Sequence, residues 1–125
     1  MKAHFILYVS DQSKSSAFYR NVLDCEPALD VDGMTEFLLN DGAVLGLMPE
    51  AGIKRLLGDA ITDPKMGRNI PRAELYLFVE EPQSYYERAL ATGARSLSPL
   101  ELRDWGDQVA YCEDMDGHVL AFAKR

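Results

Sequence analysis

Two side chains able to hold a ligand stand at matching points of the chain, His4 and Glu74. Each opens a run of apolar and aromatic residues closed by polar ones. The runs are His4-Phe5-Ile6-Leu7-Tyr8-Val9-Ser10-Asp11 and Glu74-Leu75-Tyr76-Leu77-Phe78-Val79-Glu80-Glu81, and both have the composition of a strand. An imidazole and a carboxylate can share a divalent ion. They can form an acid–base pair in which the carboxylate orients the ring. They can also satisfy one another as a buried structural pair. Residue type alone leaves all three open. Strand alternation puts His4, Ile6 and Tyr8 on one face, and likewise Glu74, Tyr76 and Phe78.

The elements that position these residues repeat. After each strand comes a helical stripe with identical offsets, Phe18, Tyr19, Val22 and Leu23 in one copy and Tyr85, Tyr86, Ala89 and Leu90 in the other. Asp11 or Ser13 caps the first helix; Pro82 suits the first turn of the second, and Gly93 its end. Asp41-Gly42 and Asp116-Gly117 are hairpin signals. Behind them Gly42-Ala43-Val44-Leu45-Gly46-Leu47 matches Gly117-His118-Val119-Leu120-Ala121-Phe122. Each half therefore reads βαβββ, and the expected fold is α+β. Two tandem modules form a curled, half-open barrel-like mixed sheet with its helices outside and its concave face as the binding surface. The whole is one domain, residues 1–125, with module one at 1–48, a connecting loop at 49–71 and module two at 72–125. In that loop Ile53, Leu56 and Leu57 suggest one helical turn, and a segment so long serves as a lid or as a packed strap.

Composition narrows the function classes. A net charge of −7 over 125 residues disfavours nucleic acid and anionic membrane surfaces as partners. No apolar run approaches the ~18 residues of a membrane span, and MKAHFILYVSD lacks the apolar core and cleavage site of a signal peptide. Cys25 and Cys112 form no ligand-like pair, which suggests reduced thiols and a cytoplasmic location. Lys54, Arg55, Lys65, Arg68 and Arg72 crowd mid-chain, where they line either a solvated connector or an anionic ligand. Trp105 supplies either a stacking surface at a cleft mouth or a hairpin anchor. Glycine-rich phosphate loops, GxSxG, HExxH and calcium-loop motifs are absent from the sequence.

The paired pattern resembles the vicinal oxygen chelate superfamily, which holds glyoxalase I, extradiol dioxygenases and bleomycin-binding resistance proteins. The resemblance rests on HFILYVSD at the opening, FYRNVL on the first helix and DWGDQVAYCEDMDGHVLAFA at the close. It implies metal ligands on the first and last strand of each module, at His4, Gly46, Glu74 and Ala121. The internal repeat pairs the same positions, His4 with Glu74 and Gly46 with Ala121. Glycine and alanine carry no donor, so no tightly bound cofactor is expected, although His4 and Glu74 keep a divalent metal open as a possibility. Glu36, Asp104 and Glu113 are candidate replacement ligands, whereas His118 lies on the strand face opposite Ala121 and should point away. Small residues at 46 and 121 would open volume for an apolar ligand, unless a neighbour such as Met48 fills it. Two readings follow. The first is a homodimeric small-molecule-binding protein sequestering an aromatic or antibiotic-like ligand, its pocket lined by His4, Tyr8, Gly46, Glu74, Tyr76, Phe78, Trp105 and Ala121. The second is a divalent-metal-dependent lyase, isomerase or dioxygenase using His4, Glu74 and a third ligand.

Overall fold

A computed structural model describes residues 1–125. The first module runs β1 (Ala3–Val9), α1 (Gln12–Leu23), β2 (Leu29–Val31), β3 (Met34–Asn40) and β4 (Ala43–Pro49). After α2 (Glu50–Leu57) the second runs β5 (Glu74–Phe78), α3 (Pro82–Ala91), β6 (Arg95–Leu102), β7 (Gln108–Glu113) and β8 (Val119–Lys124). The fold is α+β with βαβββ twice. Each module forms an open four-stranded mixed sheet, ordered β1-β4-β3-β2 and β5-β8-β7-β6. The first pair of each sheet is parallel and the rest antiparallel. The chain divides into two compact units, Met1–Arg20 with Asp24–Arg68, and Asn21–Leu23 with Asn69–Arg125.

In the first unit, Asp11 is the cap that the sequence predicts: its Oδ1 accepts the Lys14 backbone N–H at 3.0 Å. Gln12 then ties the helix start to the β2–β3 hairpin. Its Nε2 donates to the Val31 carbonyl at 2.8 Å and to Thr35 Oγ1 at 3.0 Å, and its Oε1 accepts from Gly33 N at 3.0 Å. Thr35 is buried on the sheet face that also carries Phe37, Leu45, Leu47, Leu7 and Val9. That face is the core. The opposite face, with His4, Ile6 and Tyr8, keeps solvent access.

The second unit repeats the arrangement. Pro82 starts α3, and Gly93 follows it at φ +116°. The Tyr85 ring lies 5.6 Å from Phe122, and the Tyr86 hydroxyl bonds Ser96 Oγ. The face carrying Phe122 and Leu120 is therefore the covered one, leaving Glu74, Tyr76 and Phe78 on the other. Of the four edge strands, two are irregular or short: β2 has 3 residues, and β6 contains Pro99 with register shifts at Ser96/Ser98 and Ser98/Glu101.

Residues 49–71 are more ordered than a loop. Glu50–Leu57 is a two-turn helix, and short 3-10 turns follow at Gly58–Ala60 and Pro64–Gly67. The Lys54 ammonium closes the helix by donating to the Gly58 and Ile61 carbonyls, at 2.7 and 3.0 Å. Glu50, 4% exposed, holds the Arg68 guanidinium through Nε at 2.8 Å and through Nη2. These bonds brace the segment internally.

Both thiols are free, Cys25 exposed and Cys112 buried. Burial, followed by the charges of Asp114 and Glu113, pushes the Cys112 thiol from 9.0 up to about 12. Thiolate is the reactive form. A disulfide reagent at pH 8 should therefore titrate Cys25 alone in the native protein, and Cys112 only after denaturation. Fast reaction of both would refute this. Because the folded value is raised, the Cys112 contribution to stability is complete below pH 9 and is lost as pH climbs towards 12.

Candidate small-molecule site

The uncovered sheet faces hold the residues singled out from sequence, and each unit offers its own set. In the first, β1 and β4 run in register with His4 beside Val44, Ile6 beside Gly46 and Tyr8 beside Met48. Glu36 of β3 lies opposite Gly46. It brings its Oε1 to 3.7 Å from His4 Nδ1, close enough for attraction but too long for a hydrogen bond. Within this unit, then, the acidic neighbour of His4 is Glu36.

Gly46 does not open a hollow. A Cβ built on it would lie 3.2 Å from Ile6 Cγ1 and 3.2 Å from Met34 Sδ. Ile6 and Met34, rather than Met48, occupy the space above the glycine, and Gly46 is buried beneath them. Of the two outcomes left open for residue 46, the space is the one taken by a neighbour, with Ile6 and Met34 filling it.

In the second unit, β5 and β8 place Glu74 beside Val119, Tyr76 beside Ala121 and Phe78 beside Ala123. Ala121, Ala123 and Val109 are fully buried and form a floor on which Tyr76 and Tyr111 pack. Above that floor the aromatic groups are pinned by polar bonds. Trp105 Nε1 donates to the Tyr76 hydroxyl at 3.0 Å, and that hydroxyl donates to Asp107 Oδ2 at 2.8 Å. Arg125 Nε reaches Asp107 Oδ1 at 3.3 Å while its guanidinium covers the Phe78 ring at 4.7 Å. Tyr76 and Phe78 meet edge to face at 5.3 Å. Trp105 and Phe78 nonetheless remain 56% and 53% exposed. Held rings with bare faces lose little freedom when a flat ligand stacks on them.

Electrostatics on this face disfavour ionised phenols. Burial raises the Tyr76 phenol above its ordinary value; the Trp105 bond lowers it, and Asp107 adds to the rise. Burial likewise raises Tyr111, helped by the Glu74 carboxylate and opposed by Arg103, whose guanidinium lies 5.2 Å from the Tyr111 ring centre. Both hydroxyls therefore stay protonated at neutral pH and serve as hydrogen-bonding groups rather than bases.

Sequence reasoning missed Asp107, Tyr111 and Arg125. Tyr111 was within reach, because the β7–β8 register pairs it with Ala121 on the same face. Asp107 precedes β7 and Arg125 follows β8, where alternation gives no guidance.

The four family-type metal positions do not fit an ion. Two carry no donor, and at Gly46 the volume a donor side chain would need belongs to Ile6 and Met34. A different compact group does have suitable spacing: Asp114, Asp116 and His118 each offer a ligand atom, all within 4.8 Å of one another. The Asp114 carboxylate and the His118 ring already carry other bonds. Asp114 Oδ1 accepts the Asp116 and His118 backbone N–H groups, both at 2.9 Å, and Oδ2 lies 2.9 Å from His118 Nδ1. Arg72 Nη2 stands 2.8 Å from His118 Nε2. A guanidinium can only donate, so Nε2 accepts and Nδ1 carries the proton. A metal on that nitrogen would have to displace Arg72. His118 is buried and lies just before β8.

Comparison with known proteins places this geometry. The family model described as Glyoxalase/Bleomycin resistance protein/Dioxygenase superfamily matches residues 3–122. Among solved structures, a glyoxalase-related enzyme from Fulvimarina pelagi superposes with TM-score 0.84 at 25% identity, over 100% of this chain and 88% of that one. A glyoxalase/bleomycin resistance protein/dioxygenase from Nocardioides gives 0.78 at 18%, covering 99% and 82%. Hypothetical protein SA1046 from S. aureus gives 0.79 at 18%, covering 99% and 93%. No curated protein matches the chain in sequence.

Proposed function

Since the chain belongs to the glyoxalase/bleomycin resistance protein/dioxygenase superfamily, we propose that it is a small-molecule-binding member that sequesters a ring-bearing, antibiotic-like compound. The seat is the uncovered face of the second sheet. Tyr76, Phe78 and Trp105 supply stacking surface, Ala121 the floor and Glu74 a polar contact for orientation. One observation carries the reading: two large rings stay more than half exposed although hydrogen bonds and a cation–π contact fix their surroundings. Exposed apolar groups held in place mark binding surfaces more often than scattered ones do. On the first sheet, His4, Glu36 and Tyr8 form a polar group of their own. A homodimer completes the reading, on family likeness alone.

The test is a thermal-shift screen of aromatic and sugar-conjugated compounds on untagged protein, followed by calorimetry of the hits. Trp105→Ala should weaken the best ligand about tenfold, or about 1.4 kcal/mol, while melting close to wild type. Unchanged affinity in Trp105→Ala would remove the stacking seat. Stoichiometric metal in the purified protein, lost in His4→Ala, would replace this reading with the metal-dependent enzyme.

A further inference from the structure

Off the carboxyl ends of the parallel strands β1 and β4, bounded by Ser10 and Pro49, lies a cleft of about 430 Å³. It lies wholly within the first unit. One wall is α2, which contributes Lys54 and Arg55; the other is the Pro64–Gly67 turn with Arg68, which contributes Lys65 and Arg68. Four cations thus face two carboxylates, Glu50 and Asp63, in a chain whose net charge is −7. A local excess of positive charge against that background needs a reason.

The carboxylates offset only part of it. Glu50 is buried and spends both oxygens on Arg68, fixing that guanidinium while 47% of the arginine side chain stays exposed. Asp63 Oδ1 caps the turn by accepting the Lys65 backbone N–H at 3.1 Å, and its Oδ2 lies 3.9 Å from the Lys65 ammonium, at the limit of an ion pair. Lys54 donates to two neutral carbonyls, which leave its charge uncompensated. Arg55, exposed in the last turn of α2, is met by no carboxylate.

We propose that this cleft binds the phosphate group of a small phosphorylated molecule. Cations come from two separate segments, α2 and the 64–68 turn, and a phosphate dianion offers them more oxygens and more charge at once than a single carboxylate does. The cleft shares no residue with the aromatic face.

The experiment is an amide NMR titration of the full chain with inorganic phosphate at constant ionic strength. Wild type, the Arg55→Gln/Lys65→Gln pair and Trp105→Ala are compared. Both replaced side chains are exposed, so the fold should persist, and the spectra themselves report it. Wild type and Trp105→Ala should give saturable shifts confined to residues 50–55 and 63–68, with affinity at least tenfold weaker in the double variant. Shifts that never saturate, that sodium chloride reproduces, or that persist undiminished in the double variant would overturn the proposal. So would tighter binding of citrate than of phosphate at the same amides.

Discussion

Gly117→Ala is expected to cost about 3–5 kcal/mol, a large part of the 5–15 kcal/mol that holds a typical domain together. Two separate penalties combine. Gly117 has φ +90°, a region where a Cβ costs about 1–2 kcal/mol. A Cβ there would also lie 2.6 Å from Asn69 Cα and 3.0 Å from its N and C atoms. These are backbone atoms, tied in place because Asn69 N–H donates to the Asp116 carbonyl at 2.9 Å, so no rotamer change relieves the overlap. Gly33 separates the two penalties. Its φ is +94°, yet nothing lies within 4 Å of its added Cβ, so Gly33→Ala should cost about 1 kcal/mol. Urea denaturation of both variants checks the contrast. Equal midpoints would mean that contact with Asn69 contributes nothing.

Asp114→Ala should cost about 3 kcal/mol or more, because one buried carboxylate accepts two backbone N–H groups and faces the His118 ring. Asparagine keeps a carbonyl for the backbone donors but turns an N–H towards a nitrogen that already bears a proton. It should fall between alanine and wild type. A chelator decides whether the group is a braced turn or a metal centre. The bonds with Arg72 and the backbone predict that wild type has the same denaturation midpoint with and without EDTA, and that the loss in Asp114→Ala is the same in both buffers. A midpoint that drops on chelation in wild type alone would identify a bound ion.

Much of this architecture could be read from residue patterns, for identifiable reasons. The duplicated strand–helix–hairpin order repeats the same offsets, so the βαβββ topology, the Asp11 cap and the Gly93 stop follow from local rules. Parity along β1 and β5 correctly grouped His4 with Tyr8 and Glu74 with Tyr76 and Phe78. Alternation fails outside regular strands, which is why Asp107 and Arg125 escaped notice. Glu36 was a named candidate whose direction stayed open; its facing towards His4 depends on where β3 begins, and that strand shifts register between Leu38 and Asn40. At 50–57 the residues Ile53, Leu56 and Leu57 suggest one helical turn, and its extension to two turns is masked by Gly52 and by the single buried apolar residue, Ile53. Its order comes instead from charged groups, Lys54 on carbonyls and Arg68 on Glu50, which apolar periodicity does not register.

The unevenness of β2 and β6 has a bearing on how this molecule behaves when crowded. A foreign chain seeking to extend either sheet at those margins would find three residues of ladder on one and a proline between two interruptions on the other. Such margins resist fibrillar growth, so self-association through β2 or β6 is discouraged.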